Sequence, residues 1–408
     1  MNTRKIAAVI LFVLALMSIA SAQSTKRPLR LDDLFRIKNV SDPRLSPDGE
    51  WIAYVVSSVD EKADKSSSDI WMVSYDGKTD RRITFTAADS ESQPRWSPDG
   101  KYLSFVSSRP GPNKGSQIWI LDRSGGEARQ LTEIKGRLQG YEWSPDSQRL
   151  AMVIGDPDPE AETGSDGPNS KAPKPIVIDR YKFKQDVQGY LRTGRKSYVY
   201  LYEIGGKRLD RLTKSKFDES SPVWSPDGKS IAFTSNRAAD PDRDPGFRIY
   251  VAEAKPGATE KQVTPDSSLG SRGPKWSPDG KRLAFLETDE KKWSAYSMNY
   301  LAIVPADGSS APVRPKGALD LDRGVSDPMW SVDGRFVRVT VADNRSVYPA
   351  EVPTDGGAVR RMMNPPVVVG NLDEAKGRIV ALSGGDSMPN EVFALENGKL
   401  RQITHQND

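Results

Sequence analysis

Four carboxylates alternate along one short stretch: Asp156, Asp158, Glu160 and Glu162. Calcium is held by several carboxylate and carbonyl oxygens, so this spacing could cradle the ion. The 12-residue calcium loop needs Gly at its sixth position, and Ala161 stands there. Asp240, Asp242 and Asp244 raise the same possibility, but Pro245 occupies the turn position and Pro241 stiffens the run. Both stretches are therefore expected to be solvated loops without metal. Nucleophilic chemistry fares no better. A Ser–His–Asp system needs a base held rigidly against the hydroxyl. The sequence has one histidine, His405, close to the end, and no Gly-x-Ser-x-Gly pentapeptide. The nearest echo, Gly384-Gly385-Asp386-Ser387-Met388, places Ser wrongly. Cysteine is absent, which removes thiol nucleophiles, thiolate metal sites and disulfides. The expectation is no catalytic residue, no metal and no cofactor.

Binding groups are easier to find. Asp179 to Arg192 mixes cations with aromatics, and Arg180, Tyr181, Tyr190 and Arg192 are the substrate-contact candidates. Such side chains could meet a peptide carboxylate or backbone. The alternative is a long hairpin covering its neighbour. Repeated Trp and Asp residues are the other candidates. Equivalent positions spread around a ring should not converge on one ligand, so the tryptophans are expected to pack the core. The aspartates are expected to hold turns.

The elements that carry these residues repeat. Leu45-Ser46-Pro47-Asp48-Gly49 returns with Trp at Ser97, Ser144, Ser225, Ser277 and Ser331, at serine spacings of 51, 47, 81, 52 and 54 residues. Ser-Pro-Asp-Gly suits a type I turn. A strand follows each turn, with large apolar residues flanking a small one, as in Ile52-Ala53-Tyr54 and Ile231-Ala232-Phe233. The small residue should admit a neighbouring sheet. A second strand leads to a tight turn such as Asp76-Gly77, and a short one closes at Arg82-Ile83-Thr84 or its equivalents. With the strand before the serine turn, each unit has four antiparallel strands. A worn seventh unit runs from Val367 to Thr404. This predicts an all-β, seven-bladed β-propeller over 41–404, with a flexible insertion at 155–175. Each blade reads in strand order, so side-chain packing should close the ring.

Residues 1–22 read as a signal peptide: Arg4 and Lys5, an apolar run from Ile6 to Ile19, then Ala20-Ser21-Ala22. A lead-in at 23–40 follows. Export to the periplasm or medium is the expectation. Lys and Arg number 59 against 55 Asp and Glu, and removing the leader takes away two cations. That near balance argues against a nucleic-acid partner, and no other long apolar run offers a membrane span.

Leu31-Asp32-Asp33-Leu34-Phe35 leading into Val40-Ser41-Asp42-Pro43, the Trp-Ser-Pro-Asp-Gly turns, the Phe233-to-Arg237 strand exit and the Asp179–Leu191 segment together resemble one family. It is the N-terminal propeller of prolyl oligopeptidase serine peptidases, in their acylaminoacyl- and dipeptidyl-peptidase-like bacterial branch. The repeats are similar to TolB propellers as well. The resemblance implies a peptide-gating propeller partnered by an α/β-hydrolase domain. That domain would carry the Ser, Asp and His and lie beyond the tail at 405–408. A stand-alone TolB-like propeller binding protein partners is the alternative. A polysaccharide lyase would be expected to need histidines within the blades, and 41–404 contains none.

Overall fold

The computed structural model describes residues 28, 30–86, 89–113, 115–157, 177–186, 189–191, 195–244, 246–266, 270–288 and 297–408. The expected signal peptide, 1–22, and most of the 155–175 insertion lie outside them. Two units are distinguished, meeting at Ile37 and Lys38. The first holds a short 3-10 helix, Leu31–Arg36, whose Asp33 carboxylate accepts from the Arg30 N–H at 2.8 Å.

The second unit is a seven-bladed, all-β propeller. Its blades begin with the strands Asn39–Leu45, Glu91–Trp96, Arg137–Trp143, Glu219–Trp224, Ser271–Trp276, Val325–Trp330 and Val369–Ala375. Each of these pairs antiparallel with the strand after it. The first strands neighbour one another in sequence around the axis, and the seventh returns to the first. Six blades have four strands. Blade 5 has three, and its fourth strand shrinks to one bridge, where Ile303 and Val313 exchange bonds of 2.8 and 2.9 Å. Pro312 and Pro315 flank Val313 and remove the donors that a longer strand would need. In blade 3 a hairpin, Lys184–Gln185 with Gly189–Tyr190, lies between the second and third strands, which accounts for the 81-residue interval.

The small residue of the second strand does what its size predicts. Ala53 sits in one cluster with Trp96, Leu103 and Phe105 of blade 2, while Ile52 and Tyr54 pack with Val380 and Val392 of blade 7. Ala151, Ala232 and Ala284 meet the next blade in the same way. One face of each second strand is thus bulky and the other flat. All of these residues are buried, since the strand is sandwiched between two neighbouring sheets.

The serine turns share one bonding scheme. Each buried Ser hydroxyl donates to the Asp two residues on, at 2.5–2.7 Å. It accepts from the N–H five residues on, at 2.8–3.1 Å. The Ser carbonyl accepts from the fourth turn residue at 2.7–2.9 Å. That residue is left-handed in every turn, so Gly is favoured there, and Ser147 takes φ 58° in the third. Asp333 is held down to about 2 by the Ser331 hydroxyl, the Arg335 N–H and the Arg335 side chain. Asp48 also falls to about 2: partial burial pushes it up, but Ser46, the Glu50 N–H and Arg123 outweigh that. Asp99, Asp146, Asp227 and Asp279 shift the same way.

A lowered carboxyl contributes stability above its ordinary value of 3.8, and loses it as pH falls through the folded value. Asp80, Asp373 and Glu374 are pushed up by burial, so they act in a separate, higher window and with the opposite sign. Urea midpoints are therefore expected to drop steeply between pH 4 and pH 2. A midpoint that stays flat across that interval would contradict this role for the turns.

Candidate functional site

The inner strand of each blade has a defect that positions the axial channel. Register slips in mid-strand in all seven. In six the bulged residue is left-handed: Asp42, Gln93, Ser221, Gly273, Asp327 and Asn371. In five of these a proline follows: Pro43, Pro94, Pro222, Pro274 and Pro328. A bulge plus proline bends an edge strand and ends its pairing.

Two cavities lie along these strands. The larger, about 1080 Å3, is lined by Arg44, Glu142, Val223, Lys275, Met329 and Asp373 from the inner strands, and by prolines of the serine turns. Trp143, Trp224, Trp276 and Trp330 border it too. This corrects the expectation that repeat-equivalent tryptophans cannot converge. Their packing role stands nonetheless. Trp143, Trp224 and Trp330 are 8% exposed. The indoles of Trp96, Trp224, Trp276 and Trp330 donate to the preceding blade, to Arg44, Glu142, Val223 and Lys275 carbonyls at 2.9–3.3 Å. Trp143 uses the Ser104 hydroxyl instead, at 2.8 Å. The smaller cavity, about 390 Å3, touches Gln93, Gln139, Ser220 and Ser221, towards the ends at which the first strands begin.

Charges in the channel are mostly committed. Asp42 holds Arg44 at 2.7 Å and Arg95 of blade 2 at 2.9 Å. Asp373 accepts from the Leu45 N–H at 2.7 Å, and burial pushes its carboxyl up against the pull of Arg44. Lys275 and Asp327 remain exposed. This wall can bind and orient a polar chain. His405 is exposed and bonds to Asp408 at 2.7 Å and Gln402 at 3.4 Å.

Arg180, Tyr181 and Tyr190 do not border either cavity. Arg180 is bound to Asp242 at 2.6 Å, and the Lys182 N–H donates to the same carboxylate at 2.6 Å. Arg243 lies over Tyr181, and Lys184 over Tyr190. Arg192 lies outside the described residues. The hairpin thus docks on the 240–244 loop of blade 4, where Asp240 and Asp244 cap backbone N–H groups. Asp156 accepts from the Lys196 N–H at 2.9 Å, while Asp158, Glu160 and Glu162 lie outside the described residues. No metal-binding group of three His, Cys, Asp or Glu occurs among the described residues. Sequence reasoning missed the channel wall, although its signal, a small or polar residue before Pro-x-Trp, was repeated.

A family model described as the TolB beta propeller domain matches residues 34–164 and 186–362. The chain belongs to that family. Its relatives include an uncharacterized peptidase, YuxL, of Bacillus subtilis, 33% identical over 227 residues, covering 55% of this chain and 34% of that protein. Dipeptidyl-peptidase 5 of Porphyromonas gingivalis is 23% identical over 96% of this chain and 58% of its own length. This propeller therefore spans between about a third and somewhat over half of these two proteins. Among solved structures, Pyrococcus horikoshii acylaminoacyl peptidase superposes with TM-score 0.69 at 23% identity, over 92% of this chain and 54% of that one. The β-propeller domain of the Trilobed protease from Pyrococcus furiosus gives 0.64 at 21%, over 91% and 97%. Both likenesses concern the fold. No described helix is long and apolar enough to cross a membrane.

Proposed function

We propose that this TolB-family propeller is the substrate-gating portion of an exported prolyl-oligopeptidase-family serine peptidase acting on peptides. The observation that carries the reading is the coverage: nearly the whole chain matches just over half of a dipeptidyl-peptidase. Peptide-bond cleavage belongs to an α/β-hydrolase domain continuing past Asp408, and the propeller filters and orients substrate. Gln406 and Asn407 are tied to blade 1 beside Lys38, at the end where the first strands begin. A hydrolase domain joined there would cover the smaller cavity. The alternative, a stand-alone propeller binding protein partners, draws on the family model itself.

The coding DNA after the Asp408 codon separates the two. An in-frame hydrolase with a Gly-x-Ser-x-Gly elbow is expected. A stop codon with no hydrolase gene beside it would favour the binding propeller.

A further inference from the structure

Each inner strand is hydrogen-bonded to its own blade on one side only, so its other edge presents backbone N–H and C=O groups to the axis. In six blades a left-handed residue breaks that edge in mid-strand. Blade 3 differs. Its slip comes earlier, between Leu138 and Gly140, and from Gly140 to Trp143 the ladder against Leu150–Val153 runs unbroken. Gly140 itself is not left-handed, and Tyr141 stands where five other blades carry proline. The smaller cavity lies against this stretch. Val153 lies behind it, and the amides of Gln93 and Gln139 and the hydroxyls of Ser220 and Ser221 border it. Arg95, the nearest cation, is spent on Asp42. The pocket thus offers a straight β edge flanked by neutral polar groups and by the Glu142 carboxylate.

We propose that the inner edge of blade 3 at Tyr141, whose N–H and C=O turn away from the ladder while those of Gly140 and Glu142 pair with Val153 and Ala151, bonds the main chain of an extended peptide inside the channel. The inference rests on the peptide-gating reading above and places the peptide within it. A main chain is recognised by backbone hydrogen bonds, so the subsite should accept varied side chains. It should disfavour acidic ones, because the Glu142 carboxylate lines the same pocket and is bound to no cation among the described residues.

The probe is a terminally blocked hexapeptide of alternating valine and serine. Amide exchange of residues 138–143 in the wild-type chain is expected to slow about tenfold at saturation. Gly140→Leu should weaken binding about tenfold or more by filling the pocket. A Cβ at Gly140 meets nothing closer than the Gln93 side-chain oxygen at 3.7 Å, so the variant should fold. Lys399→Met, exposed on the outer strand of blade 7 and bordering neither cavity, should bind like the wild type. Binding that leaves 138–143 exchange unchanged, or that survives Gly140→Leu intact, would overturn the proposal. A wild-type chain that binds no peptide would overturn it too. The peptidase reading itself falls only if the protein continued past Asp408 also fails to cleave peptides.

Discussion

Replacing Arg338 by methionine is expected to cost about 3–5 kcal/mol of unfolding free energy, the cost typical of breaking a buried ion pair by removing one partner. Arg338 lies 12% exposed between two carboxylates. It donates to Glu351 of its own blade at 3.1 Å and also bonds Glu374 of blade 7. Glu351 is braced by Arg360 as well. Burial already pushes the Glu374 carboxyl up, Arg338 opposes that, and the Glu351 charge adds to the rise. Without the guanidinium, two carboxylates face each other with little solvent. The loss should therefore be smaller at pH 4.5 than at pH 8, because protonation removes the repulsion. Pairing Arg338→Met with Glu374→Leu should recover much of it. Urea unfolding of the single and double variants measures all three effects. A single-variant cost under about 1 kcal/mol would show that the pair does not hold blades 6 and 7 together.

Truncation after His405 is expected to loosen one seam of the ring and leave the others intact. Among the described residues no strand crosses between blades 7 and 1, so side chains carry the closure there. Arg378 reaches the Gly49 carbonyl at 2.8 Å, and Arg401 the Tyr75 carbonyl at 3.1 Å. The last residues form a clasp. The Gln406 amide donates to the Tyr54 hydroxyl at 2.9 Å. Asn407 accepts from the Lys38 N–H at 2.8 Å and donates to the Lys38 carbonyl at 3.1 Å. Its own N–H donates to buried Glu391 at 2.9 Å. The three bonds that reach Tyr54 and Lys38 across the seam contribute roughly 1 kcal/mol each, so losing them should cost about 3 kcal/mol there. Amide exchange in 39–45 and 369–402 should then rise about 100-fold. Exchange in blades 3 to 5 should stay within about threefold. Uniform acceleration in all blades would mean that the ring opens as one unit, not at this seam.

The parts of the fold that were legible in the sequence are those with a local cause. Ser46-Pro47-Asp48-Gly49 and its copies announce turns because the Ser hydroxyl and Asp carboxylate bond within six residues of chain. Ala53 and its equivalents signal blade stacking through their size alone. What escaped depends on partners distant in sequence. The Trp330 indole bonds a carbonyl 55 residues away, and Asn407 a backbone 369 residues away. No periodicity reveals either contact. The loss of a strand in blade 5 was written in Pro312 and Pro315, but their meaning depends on which edge Val313 joins. The channel wall is a different case. Asp42-Pro43, Gln93-Pro94, Ser221-Pro222, Gly273-Pro274 and Asp327-Pro328 recur at one place in the repeat. Left-handed bulges explain both the polar or glycine residue and the proline after it. Arg180 and Tyr181 drew attention by composition, and they are engaged with the 240–244 loop.

The central claim is that this propeller gates a peptidase whose nucleophile lies past Asp408. It is tested most directly with a serine-reactive fluorophosphonate on two proteins, the 408-residue chain and the same chain continued through its natural downstream coding sequence. The account predicts that the first stays unlabelled. It predicts that the second is labelled at one serine and cleaves short peptides. Labelling of the 408-residue chain, or a continued protein with no reactive serine, would contradict it.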